Sequence, residues 1–355
     1  MEKAPVPYPP VLHSLASAST ITWLIHQKFE LSIPLYRQEK EWEALGLRLS
    51  RATMSNWLLV VYRDWLVHIV HRLKLELLKQ RYLHIDETHV QVLKEPGRKN
   101  TSDSYMWVYC SIRDAVNPIR YFEYQPGRSG KYPEAFLREY EGYIHTDAYS
   151  GYNAVSGVKR CLCYTHLRRA FVDALPKDIH NSEASKPAEA ILRLNQLFNI
   201  ESELEALPPD QKKKERLIRE KPLLEAFWSW AEKSAIGELP KSKLSKAFHY
   251  ALNNREGFWN YLEDGNCSIS NSLAENCIRP FVIGRKNWLF AGSPKGAEAS
   301  AGIYTLVETA KANGLAPMKY IKYILSDMPG SAFLEHPEYL DDYLPWNPFV
   351  KEFCR

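Results

Sequence analysis

The chain changes character at Tyr82-Leu83-His84-Ile85-Asp86, which continues after Glu87 as Thr88-His89-Val90-Gln91-Val92. Apolar and polar residues alternate there, and β-branched and aromatic side chains are frequent, so this stretch predicts a strand. Two more strands are predicted at 105–112 and 119–124. Short links that contain Pro with Gly or Asn join the three strands, which indicates an antiparallel meander.

The residues after this meander predict the rest of the sheet. A helix at 132–140 follows Pro126-Gly127, a fourth strand is predicted at 142–147 and a fifth at 159–164. Three antiparallel strands, a helix and two more strands are the element order of a ribonuclease H-like sheet. We therefore predict an α/β fold with a ribonuclease H-like mixed five-stranded sheet, a helical insertion and a helical N-terminal region.

Helical patterns flank and interrupt this sheet. Ser19 is a candidate helix cap, Pro34 precedes a second helix and Gly46 breaks it, which fits either a helix-turn-helix or a packing unit without DNA contact. In chain order, we predict a Pro-rich linker at 1–18, this helical region at 19–80, a catalytic domain at 81–325 with its insertion at about 185–265, and an irregular, acidic and aromatic tail at 326–355.

The amino-acid composition and the charge distribution limit the kinds of protein that this chain can be. The 355 residues are 45% hydrophobic with a net charge of +4, which suits a folded chain and permits nucleic-acid binding without requiring it. The segment 271–325 has seven Lys or Arg against three Glu, and 326–355 has six acids against two basic residues. Scattered cysteines and the short apolar runs predict a soluble cytoplasmic protein that does not engage a membrane.

Two acids that end apolar strands are the main candidates for chemistry. Asp86 and Asp147 finish the first and fourth predicted strands, which are neighbours in a ribonuclease H-like sheet. An acid at such a position is costly unless it is solvated, paired or bound to a metal. Glu275, on a helix whose Leu273, Ile278 and Val282 could face the sheet, is the third candidate. Three carboxylates suit two magnesium ions, for which manganese can substitute, and predict phosphodiester chemistry.

Simpler interpretations of these acids remain open. An Asp at a strand end is most often a turn or helix cap. Other acids compete for the role: Glu87 points the opposite way on a strand, Glu123 fits an exposed strand position, and Asp173 lies in a helix rich in Arg. Cys161 and Cys163 form a C-x-C, which we interpret as a weak zinc signal.

Basic residues near the acids are candidates for contacts to DNA. His166, Arg168 and Arg169 begin the helix after the fifth strand and could contact phosphates, although a surface turn would have the same pattern. Cations interleaved with aromatics follow Glu275 and suit a DNA backbone and splayed bases; they are Arg279, Arg285 and Lys286.

At these residues the chain resembles the DDE transposases of the insertion-sequence 66 family. The resemblance is carried by four ordered motifs: Leu83-His84-Ile85-Asp86-Glu87-Thr88, Ile144-His145-Thr146-Asp147-Ala148-Tyr149-Ser150-Gly151-Tyr152, Cys163-Tyr164-Thr165-His166-Leu167-Arg168-Arg169, and Asn271-Ser272-Leu273-Ala274-Glu275-Asn276-Cys277-Ile278-Arg279-Pro280 continuing through Gly284-Arg285-Lys286-Asn287-Trp288-Leu289-Phe290. It extends from about Ser14 to the Leu344-Pro345-Trp346-Asn347 segment.

The resemblance implies a function. By position it makes Asp86, Asp147 and Glu275 the metal-binding catalytic triad, with His166, Arg168, Arg169 and Arg279 in support. It implies cut-and-join movement of a bacterial insertion element, with element ends and target DNA as partners, a homo-oligomer on DNA, accessory transposition proteins and association with the nucleoid. The family's upstream leucine-zipper-like helix and zinc-binding module have no counterpart before Pro5, so we expect a shortened member. Two alternatives are a ribonuclease H-like nuclease without strand transfer and a catalytically silent DNA-binding protein.

Overall fold

The computed structural model describes residues 8–176 and 185–355, so the first seven residues of the predicted linker lie outside the described part. The described residues form two compact units. One unit contains the described residues up to Gln80, Asp86–Tyr132 and Ala274–Arg355, and the other contains Arg81–Ile85 and the described residues of Pro133–Leu273. In the part of the chain that the structure describes, no helix combines the length and the apolar character needed to cross a bilayer.

The N-terminal region is helical, as predicted. Its α-helices are α1 (Ala18–Ile25), α2 (Leu35–Ala44), α3 (Arg51–Val61) and α4 (Val67–Leu78), with π-helical turns at His26–Glu30 and Tyr62–Leu66. The cap of α1 is Ser17, whose Oγ accepts the Thr20 N–H at 3.2 Å, and the prediction of Ser19 as cap was therefore wrong. Both serines precede the same apolar run, and local sequence does not separate them. Gly46, with φ +85°, follows α2 as predicted.

The sheet confirms the predicted ribonuclease H-like order. Its strands and the helices between them are β1 (Tyr82–Val92), β2 (Asp103–Ser111), β3 (Arg120–Gln125), α5 (Lys131–Phe136), β4 (Gly142–Thr146), β5 (Val158–Leu162) and α6 (Tyr164–Val172). The strand order is β3-β2-β1-β4-β5, with β2 and β3 antiparallel and β1, β4 and β5 parallel. The first and fourth strands are thus neighbours, as expected.

The helical insertion belongs to the second unit. It contains α7 (Lys186–Glu203), α8 (Pro209–Glu215), α9 (Lys221–Ala235), α10 (Lys243–Asn253) and α11 (Arg255–Trp259). The apolar faces of α7, α9, α10 and α11 form one core with the buried side of β5 and α6, which includes Leu167, Phe171 and Trp228. Within that core Arg216 donates to both carboxylate oxygens of Glu201 at 2.5 and 2.8 Å. This buried pair ties α7 to the π-helical segment Arg216–Glu220.

Helices after the insertion complete the first unit. They are α12 (Ser272–Trp288), a two-residue strand β6 (Phe290–Ala291), α13 (Pro294–Ala312), α14 (Pro317–Asp327) and α15 (Pro348–Cys354). The sixth strand was not predicted, because two residues are too few to show an alternating pattern. The C-terminal segment predicted to be irregular contains a 3-10 segment at Pro337–Tyr343 and α15, which Asn347 caps by accepting the Phe349 N–H at 3.0 Å.

Helix α13 protects the edge of the sheet. The hydroxyls of Thr305 and Thr309 accept the backbone N–H groups of Phe122 and Arg120 at 2.8 and 3.0 Å. Residues four apart on a helix share a face, and residues two apart on a strand share an edge, so the two spacings match. The buried helix thereby satisfies donors of β3 that would otherwise be exposed for pairing with another chain.

Candidate active site

A pair of buried histidines marks the junction of β1 and β4. The parallel register pairs His84 with His145, and their rings stack with centroids 4.2 Å apart and planes 9° from parallel. Each side chain is 1% exposed. Asp86 and Asp147 each follow one of these histidines by two positions. The repeated His-x-Asp is visible in the sequence and is a signal that sequence reasoning missed.

The hydrogen bonds of His145 define its protonation. Its Nδ1 lies 3.2 Å from the Leu83 carbonyl oxygen, which can only accept, and its Nε2 lies 2.9 Å from the Ser268 backbone nitrogen, which can only donate. The ring is therefore neutral, with its proton on Nδ1. Nδ1 therefore ties β4 to β1, and Nε2 holds the segment before α12 against β4.

Asn271 joins the other histidine to the same segment. Its Nδ2 donates to the Ile85 carbonyl at 2.8 Å, so its Oδ1 accepts from His84 Nδ1 at 3.0 Å. Its backbone N–H also points to the Cys163 sulfur at 3.2 Å. The side chain is 1% exposed, and Asn271 directly precedes α12. This buried residue anchors the start of α12 to the end of the β1 segment in the second unit, and sequence reasoning did not single it out.

The two aspartates have local backbone contacts. Asp86 Oδ1 accepts the Glu87 N–H, and Asp147 Oδ1 accepts the Tyr149 N–H, both at 2.9 Å. The second contact closes a turn after β4, so the turn-capping role left open for Asp147 is present in the structure. Arg160 steadies this turn by donating to the carbonyls of Asp147 and Tyr149 at 2.6 and 2.8 Å.

Glu275 lies in the first turn of α12 and is partly buried. The expected helix face was wrong in register: the buried residues are Ala274, Ile278 and Phe281, whereas Leu273 and Val282 are only partly buried. An apolar pattern of three residues fits more than one face of a helix, and only packing selects between them.

The competing acids have other surroundings. Glu87 accepts from Arg128 Nε at 2.5 Å, and its side chain is 2% exposed, which indicates a buried ion pair. Glu123 is partly buried and not exposed as expected; burial raises its carboxyl pKa, and Lys74 opposes that rise. Asp173 is exposed at the C-terminal end of α6.

The predicted basic residues divide into two groups. Arg168 Nε donates to Asn195 Oδ1 at 2.7 Å, and Arg285 donates to Thr88 Oγ1 at 3.0 Å and to the His89 carbonyl. These two arginines therefore have structural contacts within their own units. The exposed cations are Arg169, Arg279 and Lys286.

Cys163 and His166 contact each other at the start of α6. His166 hydrogen-bonds to the Cys163 sulfur. Burial alone would raise the pKa of the Cys163 thiol, but the contacts with His166 and the Asn271 N–H lower it overall.

A cluster of soft ligands lies beside the histidine pair. Potential ligand atoms of His145, Cys161 and Cys267 lie within 4.8 Å of one another, and all three residues are buried. The Cys161 and Cys267 thiols hydrogen-bond to each other, which with burial raises the pKa of Cys267. Because both nitrogens of His145 already bond to backbone groups, the arrangement favours a hydrogen-bonded core over a zinc site. The C-x-C residue Cys163 lies after β5, at the cap of α6, and contacts His166 and the Asn271 N–H instead.

A family model and two curated relatives are similar to this chain. The family model described as Transposase IS66 family matches residues 13–299. Two uncharacterized proteins of Sinorhizobium fredii (strain NBRC 101917 / NGR234) are similar over nearly the whole chain: y4hP is 26% identical, covering 98% of this chain and 65% of that protein, and y4qI is 28% identical, covering 94% and 63%. The chain thus spans just under two thirds of the length of these relatives.

One solved structure is also similar. The Drosophila P element transposase strand transfer complex has a TM-score of 0.47 at 14% sequence identity, covering 83% of this chain and 92% of that chain.

Proposed function

This chain belongs to the IS66 family of transposases, and from that membership we propose that it contains the catalytic region of a DDE transposase that cuts and joins DNA. The proposed triad is Asp86, Asp147 and Glu275. The substrate would be the ends of an insertion element together with target DNA. The resemblance inferred from the four sequence motifs agrees with the family model, and the assignment of the triad is our proposal.

The observation that supports the triad best is the register of the histidine pair. His84 pairs with His145 on parallel strands, and each proposed aspartate follows its histidine by two positions. Residues two apart along a strand share a face, so two acids at equal offsets would meet at the same sheet edge. Asn271, bonded to His84 and Ile85, precedes Glu275 by four positions, about one helical turn.

The donor set fits hard divalent cations. Three carboxylates supply only oxygen ligands, the type that magnesium and manganese prefer. Local N–H groups already orient one oxygen of Asp86 and one of Asp147, which lowers the cost of arranging them around an ion. When bound, two such ions activate the attacking oxygen and stabilise the leaving oxygen in an in-line displacement at phosphorus.

The chain's own residues would position the DNA and the ligands. The histidine pair and Asn271 hold β1, β4 and the residue before α12 in a buried core. We propose that this core positions the three acids. Exposed cations Arg169, Arg279 and Lys286 would neutralise phosphates of the DNA backbone. Pairing two element ends requires two catalytic centres, so we propose a homo-oligomer on DNA, assisted by accessory proteins.

The direct test is metal-dependent cleavage and joining of element-end DNA. Asp86→Asn, Asp147→Asn and Glu275→Gln keep the size of each side chain and the acceptor oxygen, so the fold should survive while activity falls by at least about 10³-fold, roughly 4 kcal/mol of transition-state stabilisation. The exposed Asp173→Asn is the matched control and should retain activity.

The products separate the alternatives. Cleaved but unjoined DNA would indicate a nuclease, and salt-sensitive DNA binding without cutting would indicate a silent binding protein. Full activity in any of the three triad variants would overturn the assignment of that residue.

A further inference from the structure

A concave groove of about 740 Å³ lies entirely within the first unit. We call it the basic groove. Its walls come from the turn after α1, the starts of α2 and α3, the loop between β1 and β2, and the segment from the end of α12 into α13; the residues used below are Lys28, Tyr36, Arg51, Lys94, Trp288 and Phe290. None of these residues belongs to the proposed triad.

The groove is positively charged. Lys28, Arg51 and Lys94 line it, and none of its described lining residues is acidic. Glu39, outside the lining, accepts the backbone N–H of Arg51 at 2.9 Å, a contact with the main chain and not with the guanidinium. Three cations without an acid among the lining residues form a site for an anion.

The surroundings of Lys28 are the strongest sign that the groove binds an anion. It is partly buried, and burial lowers the pKa of its ammonium to about 8, with no opposing effect from an acid. Its Nζ lies 5.0 Å from the centroid of the Phe29 ring. Holding a lysine in such a place costs stability unless a ligand compensates for it, and that cost is typical of binding sites.

Partly exposed aromatic side chains lie among the cations, and the Arg37 guanidinium lies over the Tyr36 ring, 5.6 Å from its centroid. Tyr36 is 40% exposed and Phe290 44% exposed, and Trp288 lines the same groove. The N-terminal end of α13, a 19-residue helix, adds partial positive charge near Gly296. Phosphates pair with cations and helix N-termini, and nucleobases stack on aromatic rings.

We propose that the basic groove binds an unpaired segment of DNA, with phosphates on Lys28, Arg51 and Lys94 and a base against Tyr36 or Phe290. This inference rests on the proposed function for the choice of DNA. A duplex hides the faces of its bases, so exposed aromatics in a concave groove favour a strand whose bases are splayed. Such strands arise where element ends are opened for cutting.

The charge contacts are tested by binding measurements in EDTA, which removes metal-dependent cutting. A fluorescent single-stranded oligonucleotide is titrated with Lys94→Gln, Arg51→Gln and Lys28→Gln. Each variant should weaken binding, and each should reduce the slope of log affinity against log salt by about 0.7, the value for one lost phosphate contact on a single strand. Lys311→Gln, on α13 but outside the groove lining, changes the net charge equally and should keep both values.

Stacking of a base on Tyr36 is tested by comparing intact and abasic oligonucleotides. The wild-type protein should bind an oligonucleotide with abasic positions about tenfold more weakly than the intact one. In Tyr36→Leu this difference should shrink, because the ring that recognises the base is gone. Lys94, Arg51 and Tyr36 are all exposed, so these variants should fold.

Two results would overturn the proposal: unchanged affinity and salt slope in the three cation variants, or tighter binding of a matched duplex than of the single strand. The outcome is separable from the proposed function. If the groove variants weaken DNA binding but the wild-type protein does not cut DNA, the catalytic proposal is wrong and this inference stands. If metal-dependent cutting occurs and the groove substitutions change neither cutting nor binding, this inference is wrong and the catalytic proposal stands.

Discussion

The rings of His84 and His145 stack in the buried interior of the second unit, with centroids 4.2 Å apart. Each ring also bonds to the segment that leads into α12, His84 through Asn271 and His145 through Ser268. The stack therefore connects two parallel strands to the start of a helix.

Asn271→Ala should destabilise the protein strongly. The change removes the acceptor of His84 Nδ1 and the donor to the Ile85 carbonyl in a buried site, at about 1–3 kcal/mol for each group. Urea unfolding should show a lower midpoint. Asn276→Ala, at an exposed position of α12, is the control and should change the midpoint little. Equal midpoints for the two variants would contradict the anchoring role of Asn271.

Glu220 should make stability depend on pH. Burial, with a smaller contribution from Glu201, raises the pKa of Glu220 to about 8, and Tyr261 Oη donates to its carboxylate at 2.6 Å. The folded state thus holds a proton that the unfolded state has released, so the contribution of Glu220 to stability is complete below about pH 4.5 and is lost as the pH rises to about 8.

Glu220→Gln tests this by keeping the neutral form at every pH. Its free energy of unfolding should lack the decline between pH 5 and 8 that the wild-type protein shows, as measured by denaturant titrations at several pH values. Glu232→Gln, an exposed acid of the same unit, should behave like the wild type. If the free energy of unfolding declines between pH 5 and 8 in Glu220→Gln as it does in the wild-type protein, groups other than Glu220 cause the decline.

Lys28→Met should stabilise the fold and weaken DNA binding. The pKa of Lys28 in the folded state, about 8, lies below its ordinary value of 10.5. The folded state therefore releases its proton first, so the lysine costs stability below pH 8 and this cost diminishes as the pH rises to about 10.5. The melting temperature of Lys28→Met should exceed the wild-type value at pH 7 and approach it at pH 10.

DNA binding by Lys28 should weaken as the pH rises, whereas the stability cost of Lys28 should diminish. Affinity of the wild-type protein for single-stranded DNA should fall above pH 8 as Lys28 loses its charge, and Lys28→Met should lack this fall. Lys311→Met is the control for both measurements. A Lys28→Met protein that is less stable at pH 7 would show that the lysine is held by favourable contacts.

Zinc should not stabilise the cluster of His145, Cys161 and Cys267. Binding would require His145 to break a hydrogen bond with Leu83 or Ser268 in a buried site. Thermal unfolding with and without zinc should give the same melting temperature. A zinc-dependent rise that Cys267→Ser abolishes would instead establish a metal site.

Much of the fold could be predicted because its signals are local. Alternation from Tyr82 to Val92 predicted β1, and Pro34 and Gly46 marked the limits of α2. The same signals failed where two choices are locally equivalent. Ser17 and Ser19 both precede the apolar run of α1, and the apolar residues of α12 fit two neighbouring faces.

The candidate site was predicted in part. The apolar strands pointed to Asp86 and Asp147, but Asp86 lies inside β1 and not at its end, because the strand continues to Val92. Helical spacing suggested Glu275, and the triad stays a prediction. The structural roles of Arg168 and Arg285 could not be predicted, because their acceptors, Asn195 and the His89 carbonyl, come from distant segments. Chemistry alone makes an arginine equally suitable for a phosphate or a protein carbonyl.

The amino-acid sequence by itself determined where most of the strands and helices form, the order in which they follow, and the family to which the four motifs point, since these depend on neighbouring residues. Only the tertiary structure decided which polar groups are buried and what they contact. His84 and Asn271 are 187 positions apart, and the basic groove combines residues from Lys28 to Phe290. Such contacts exist only after the chain has packed, because burial is a property of the whole fold.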